Sequence, residues 1–244
     1  MHVVVPLAGK DPAFEALGFA KPLYPVMGRP LIEVIAESRP YSFKDAIFIL
    51  LREHQKKYMI DARLKEVFGD GIRIVWAEKM TEGAPCSVLL ASHLIDNDED
   101  LIIDLADQYL DLHSLQGTID SKDCHGIIPS FQSYYWKVGY VAVDESGHAR
   151  RVEEKQNPPL STNSTACVNY FRHGSDFVKY AKEMIAKDRR IPYNNTFFTS
   201  IVFNEMVEDG KKIKVVPCDL VCPLGNLDGI RVFEQMRRPL KWKS

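Results

Sequence analysis

Residues 3–36 read VVVPLAGKDPAFEALGFAKPLYPVMGRPLIEVIA. The first five, VVVPL, make a continuous apolar run of the kind buried on both faces of a parallel sheet. A loop punctuated by Gly and Pro follows over residues 8–30, and Pro30 can occupy the first turn of a helix running through LIEVIAES. The loop carries Gly9, Gly18, Gly28, Lys10, Lys21 and Arg29 directly after the strand. It is longer than connections that merely join elements. Glycines let backbone N–H groups approach an anion, and lysines supply point charges, so this composition suits phosphate. It equally suits a surface loop with solvated lysines.

Downstream the pattern repeats. Residues 46–51 (AIFILL) read as a second buried strand, and residues 52–68 (REHQKKYMIDARLKEVF) as a second helix. Residues 72–77 (IRIVWA) form a third strand, and Pro85 opens a third helix, CSVLLASHLI. Residues 101–105 (LIIDL) form a fourth strand. Apolar strands alternating with helical stretches predict a Rossmann-like α/β fold, its mostly parallel sheet covered by helices on both faces. Right-handed crossovers then collect the strand-to-helix loops at one edge, where such folds bind ligands.

After Asp111 the texture is mixed. Residues 138–143 and 149–153 flank Asp144-Glu-Ser-Gly-His, a hairpin signal with Gly147 free to take a positive φ. Residues 165–172 (TACVNYFR) read as a strand, 175–187 and 197–209 as helices, the second stopped by Gly210. Residues 213–217 read as a late strand and 226–236 as a closing helix. No repeat or Gly/Ser linker divides the chain, so one domain over residues 1–244 is expected.

Composition excludes several classes. The 244 residues hold 31 Lys+Arg against 33 Asp+Glu, and the pI is near 6.4, so no excess basic charge exists to displace counterions from nucleic acid. No apolar run approaches 18 residues, which excludes a membrane span as the expected partner. The opening MHVVVPLAGK lacks a basic region and a cleavable apolar stretch, so a cytoplasmic protein is expected. Cys86, Cys124, Cys167, Cys218 and Cys222 are odd in number and scattered, as fits free thiols in a reducing compartment. Cys218 and Cys222 lack a companion pair at zinc-site spacing, and the histidines form no pair at ligand spacing.

Asp104 and Asp107, in LIIDLADQYLD, end the fourth strand. Alternation after Ile103 would bury one carboxylate and present the other at the sheet edge. A buried carboxylate needs a cation, and a Mg²⁺-phosphate site would supply one. An acidic turn capping a short helix would use the same residues.

Together these segments resemble the sugar-phosphate nucleotidylyltransferase family, which has the nucleotide-diphospho-sugar transferase fold. VVPLAG followed by AKPLYPVMGRPLIEVI is similar to the family's opening signature, a glycine-rich loop and then a Lys-Pro-Leu-x-Pro-Val-x-Gly-x-Pro stretch. AEKMTEGAPCSVLLA resembles its Gly-Thr-Ala segment, DLIIDLADQYLD its metal-binding strand end, and VDESGHARRVEEKQ the segment whose Glu-Lys pair contacts the sugar phosphate. TACVNYFRHGSDFVKYAKEMI and SIVFNEMVEDGKKIKVVP resemble the later strand-helix units. The likeness spans nearly the whole chain.

The resemblance implies residues 1–111 as a nucleotide-binding half and 112–244 as an acceptor-binding half. It implies Leu7, Ala8, Gly9, Lys10, Lys21, Gly83 and Ala84 at the nucleotide, Glu154, Lys155 and Asn169 at the acceptor, and Asp107 on Mg²⁺. Lys21 and Asp107 would be the catalytic pair. The implied reaction is attack by a phosphate monoester, of a sugar or similar metabolite, on the α-phosphorus of an NTP. Pyrophosphate leaves, and the product would serve glycan or capsule synthesis. The attacking oxygen is already anionic, so positioning and charge neutralisation suffice.

The chain departs from the family pattern at three places. Asp11 stands for the loop's second glycine and Ala13 for its arginine, and Lys10 lacks the planar fork that grips phosphate in two places. Ala84 replaces the threonine of Gly-Thr-Ala. Near the C-terminus, Pro223 occupies the place of a second metal aspartate, where Asp219 or Asp228 would have to substitute. These departures leave room for a relative that binds nucleotides without turnover. A glycosyltransferase using Asp104 and Asp107 as metal carboxylates is a third reading. Base, acceptor and oligomeric state, a homo-oligomer included, stay open at this stage.

Overall fold

The computed structural model describes residues 1–237, so residues 238–244 of the expected domain lie outside the described residues. One ten-stranded sheet runs through the chain. Its strands are β1 (His2–Leu7), β2 (Ile47–Leu51), β3 (Arg73–Ala77), β4 (Leu101–Asp104), β5 (Gly126–Gln132), β6 (Gly139–Val143), β7 (Ala149–Glu154), β8 (Asn163–Thr165), β9 (Val168–Phe171) and β10 (Ile213–Pro217). They lie in the order β7-β6-β8-β5-β9-β4-β1-β2-β3, with β10 paired to β5 off this path. Strands β7, β8 and β9 run against the rest, so most of the sheet points one way, as the sequence predicts.

Alternation along each central strand builds two cores. On β1, Val3 and Val5 face the helices Leu31–Ala36 and Ile60–Phe68 with Phe48 and Leu50. Val4 faces the other side with Ile47, Ile49 and Leu51, beneath Gly174–Ala186 and Val202–Glu208. A side-chain period of two makes every such residue useful to one face or the other, which is why these strands read as unbroken apolar runs. No helix among the described residues is long and apolar enough to cross a membrane.

Several predicted elements are interrupted. The helix expected over 52–68 is two, Arg52–Tyr58 and Ile60–Phe68, because Met59 takes a left-handed φ of 51°. The third helix divides into Ala84–Val88, a 3-10 turn Leu89–Ala91, and Ser92–Ile95. The strand expected over 165–172 is β8 and β9, parted at Ala166 and Cys167. There the Cys167 carbonyl accepts from Leu105 N–H, carrying the chain across to β4. Loop 8–30 holds a helical turn Pro12–Glu15, a 3-10 turn Lys21–Leu23 and a two-residue hairpin, Pro25–Val26 against Arg29–Pro30. Strand β5 and the helix His113–Ser121 have no counterpart in the sequence reading. The hairpin of β6 and β7 forms as predicted, with Gly147 at φ 78°.

Candidate nucleotide and acceptor site

The loops leaving β1 and β4 meet at the C-terminal edge of the parallel strands. The turn after β4 separates its two aspartates. Asp104 is fully buried, and its carboxylate accepts two hydrogen bonds on each oxygen. Oδ2 takes Arg39 Nε–H at 2.5 Å and Tyr41 O–H at 2.8 Å, while Oδ1 takes Arg39 Nη2–H at 3.1 Å and Ala106 N–H at 2.9 Å. These use the four lone-pair directions of a carboxylate, leaving none for a metal. Asp104 therefore has no direction free for the cation that the glycosyltransferase reading has it share with Asp107. Burial opposes the Arg39 charge, but Asp104 outweighs it and holds the guanidinium firmly protonated.

Ala106 takes a left-handed φ of 52°, and the chain reverses so that Asp107 faces outward with 40% of its side chain exposed. Lys21 Nζ–H donates to Asp107 Oδ1 at 2.5 Å. Burial alone would lower the Lys21 ammonium; the Asp107 carboxylate, with Asp11 adding to it, prevails and raises its pKa above the usual lysine value.

Asp107 stands between two cavities. The first, about 230 Å³, is lined by Leu7, Gly9, Lys10, Lys21 and Ala84 of the expected nucleotide set, together with Asp11 and Asp107. Ala8 points instead into the core and is 4% exposed. Gly83 is not part of the lining and is held by a bridge to Phe197. A Cβ on Gly83 would stand 2.1 Å from the Phe197 carbonyl oxygen, at a φ of 136° that side chains avoid. Gly83→Ala is therefore expected to cost about 1–3 kcal/mol from overpacking and strain. A thermal melt checks this, with Tm lower by about 2–4 °C per kcal/mol.

The altered loop has its own local logic. Asp11 caps the turn Pro12–Glu15 by accepting from Ala13 N–H at 3.1 Å, with Pro12 at the first helical position. Its carboxylate thus has a backbone partner. Lys10 makes an ion pair with Glu53 at 2.6 Å, so it reaches the cavity already engaged. Ala13 offers no charge.

The second cavity, about 160 Å³, is lined by Asp107, Lys137, Glu154, Lys155, Asn169 and Thr199 among others. All three expected acceptor residues are there. Glu154 is 7% exposed. Burial raises its pKa, opposed by Ser200, whose Oγ–H donates to Oε1 at 2.5 Å, and by Lys155. Lys155 Nζ donates to the Lys137 carbonyl at 2.8 Å and lies 5.2 Å from the centre of the Phe198 ring. Asn169 Oδ1 and Thr199 Oγ are buried without a hydrogen-bond partner among the described residues. Orphan polar atoms lining a cavity are natural contacts for a ligand rich in hydroxyl groups. Sequence reading missed the roles of Lys137, in a turn before β6, of Thr199 and Ser200, in the 3-10 turn Thr199–Ile201 at the head of the expected helix 197–209, and of Arg39 and Tyr41, far from Asp104 in the chain.

Among the described residues, no carboxylate occupies the place near Asp107 that the resemblance gives to a second metal aspartate. Pro223 pairs in register with Gln108, and Leu224 N–H donates to the Asp107 carbonyl at 2.8 Å, so this segment does lie beside Asp107. Its side chains there carry no carboxylate. Asp219 lines a separate groove with Ser130 and Gln132, and Asp228 pairs with Arg231 at 3.1 Å. Neither lines the two cavities at Asp107. No group of three His, Cys, Asp or Glu side chains converges among the described residues. One carboxylate is nevertheless a sufficient protein contribution for Mg²⁺, which keeps waters and takes its other ligands from substrate phosphates.

No family model and no curated protein sequence matches the chain. Solved structures do match. A nucleoside-diphosphate-sugar pyrophosphorylase from Vibrio cholerae RC9 has a TM-score of 0.79 at 17% identity, over 96% of this chain and 99% of that one. UDP-glucose pyrophosphorylase complexed with UDP-glucose has a TM-score of 0.73 at 14% identity, over 96% of this chain and 97% of that one. A Bacillus anthracis protein assigned as a glucose-1-phosphate thymidylyltransferase, in complex with a sucrose, gives 0.72 at 12% identity over 100% and 97%. The architecture is thus an α/β sheet with its cleft at the carboxyl ends of the parallel strands. In particular, it is the fold of the sugar nucleotidyltransferases.

Proposed function

We propose that this protein transfers a nucleotidyl group from an NTP to the phosphate of a small phosphorylated metabolite, a sugar phosphate in the first instance, and releases pyrophosphate. The observation that carries this reading is Asp107, paired with Lys21 and standing where the two cavities meet. A nucleotide in the first cavity and an acceptor in the second would bring α-phosphorus and attacking oxygen to that junction. The neighbours' action on nucleoside-diphosphate sugars supports the same pairing of substrates.

In the reaction a bond forms between an acceptor phosphate oxygen and the α-phosphorus. The bond from that phosphorus to the bridging oxygen breaks, and its electron pair leaves with pyrophosphate. No protein base is required, because the acceptor phosphate is anionic. Asp107 would hold Mg²⁺, whose charge would offset that of the phosphates. Lys21 would exchange its contact with Asp107 for the phosphates, and Lys10 would do the same on leaving Glu53. Glu154, Asn169 and Thr199 would bind the far end of the acceptor, with Lys155 and Lys137 at its phosphate. Such a product would feed glycan precursor synthesis.

Thermal unfolding with each NTP, with and without Mg²⁺, tests the reading. A ligand at 100 times its Kd adds about 2.7 kcal/mol, so one NTP should raise Tm in a Mg²⁺-dependent manner. Lys21→Ala should weaken that NTP by about 1.5–3 kcal/mol, the value of a charge-assisted contact. An unchanged NTP affinity in the variant would remove Lys21 from the site. A second reading, binding without turnover, is favoured by the loop itself, where Ala13 has no charge and Lys10 is engaged by Glu53. It predicts the same thermal shift without pyrophosphate release.

A further inference from the structure

The turn that presents Asp107 is held from beneath by one buried cation. Arg39 donates to both oxygens of Asp104 and, through Nη2, to the Gln108 carbonyl at 2.9 Å. It therefore grips the chain on either side of Asp107. Its Nη1 donates at 2.7 Å to Ser38 Oγ, which accepts the Leu110 amide at 3.2 Å, so the grip continues along the outgoing strand. Tyr41 O–H fixes the remaining direction of Asp104 Oδ2. Both charged side chains are fully buried. On the far flank, Gln108 Oε1 accepts from Cys167 N–H at 2.9 Å, tying the turn to the break between β8 and β9.

A buried ion pair gives little net stability compared with a well-packed apolar pair. Here, however, its hydrogen bonds hold a left-handed residue, Ala106, that places Asp107 at the junction of the cavities. We infer that Arg39, acting through Asp104 with Tyr41 as a brace, is a positioning residue that sets the orientation of the Asp107 carboxylate toward a divalent cation and the NTP. The inference rests on the nucleotidyl-transfer reading for what Asp107 does, but it concerns residues that touch no substrate.

The test uses the full chain with Mn²⁺ as a paramagnetic probe and the α,β-methylene analogue of the NTP that most stabilises the wild type. Free Mn²⁺ is read by electron paramagnetic resonance. Removing the partners that orient metal ligands typically costs about 10–100-fold in metal affinity. Arg39→Lys keeps the charge but loses the fork, and should raise the Mn²⁺ Kd by about tenfold or more. Tyr41→Phe, the milder variant, should raise it about two- to fivefold with cooperative unfolding retained, because one hydrogen bond to the Asp104 carboxylate is lost while those of Arg39 and Ala106 remain. In an Asp107→Asn background neither change should matter further, because a residue acting through Asp107 has nothing left to orient. Folded variants with wild-type Mn²⁺ affinity, or equal losses with and without Asp107, overturn the inference; should Arg39→Lys not fold, Tyr41→Phe decides. A wild type that binds no Mn²⁺-nucleotide overturns the nucleotidyl-transfer reading and the inference together, which separates that failure from the others.

Discussion

Asp107→Asn is expected to lower the rate of pyrophosphate release by about 10²–10³-fold, the loss found when one preorganised electrostatic contact is removed from a transition state. The fold should survive, because Asp107 is half-exposed and its side chain contacts Lys21 across the cleft. Residual NTP binding should no longer depend on Mg²⁺, since neither Asp219 nor Asp228 stands by to replace it. Lys21 would be released toward the phosphates, so Mg²⁺-free binding should be retained. A Mg²⁺ titration of initial rates and of NTP affinity checks both parts. Turnover within a few-fold of wild type would remove Asp107 from the reaction.

Asp104→Ala, three residues earlier, should do something different in kind. It leaves the Arg39 guanidinium buried and unpaired, together with the Tyr41 hydroxyl and the Ala106 amide. Breaking a buried ion pair on one side costs about 3–5 kcal/mol. At about 2–4 °C for each kcal/mol in a chain of this size, Tm should fall by roughly 6–20 °C. That is a large part of a typical domain's stability, so much of the protein would be unfolded or aggregated on expression. Chemical denaturation of soluble material measures the loss. A change below about 1 kcal/mol would mean that Arg39 finds water or another partner, contrary to its burial.

This contrast between two nearby aspartates shows what was legible in the sequence. Strand alternation predicted that one of the pair would be buried and the other presented, and the structure assigns Asp104 and Asp107 to those roles. The buried one's cation could not be found, because Arg39 lies 65 residues away and its segment, ESRPYS, has no periodicity. The parallel strands were readable because burial on both faces demands unbroken apolar runs. Strand β5 was not, since Pro129 and Ser130 interrupt GIIPSFQ, although their partners, β10 and β8, satisfy the strand on both sides. The break at Met59 left no trace either, because methionine is an ordinary helix former and tertiary packing sets its left-handed φ.

Of the candidate site, the residues on the loops that leave β1 and β4 stood out through their motifs. Lys21 and Asp107 are 86 residues apart and meet across β1 and β4. The lining of the second cavity was half-read. Glu154, Lys155 and Asn169 carry the family-like pattern, whereas Thr199 and Ser200 follow Phe197, whose bridge to Gly83 pairs segments more than a hundred residues apart and is visible only in the folded chain. The departures at Asp11 and Pro223 have different outcomes. Asp11 gains a local role as a helix cap, while Pro223, paired in register with Gln108, brings no carboxylate to Asp107.

The most direct measurement is ³¹P NMR of the purified protein with the stabilising NTP, Mg²⁺ and a panel of phosphate monoesters that includes hexose 1-phosphates. Nucleotidyl transfer predicts that the β- and γ-phosphate resonances of the NTP give way to pyrophosphate. A pair of coupled diphosphate resonances from the new nucleoside-diphosphate product should grow in step, only with one acceptor class, and be lost in Asp107→Asn. NTP resonances unchanged across the panel, with the nucleotide demonstrably bound, would contradict the account and leave a nucleotide-binding protein on a transferase fold.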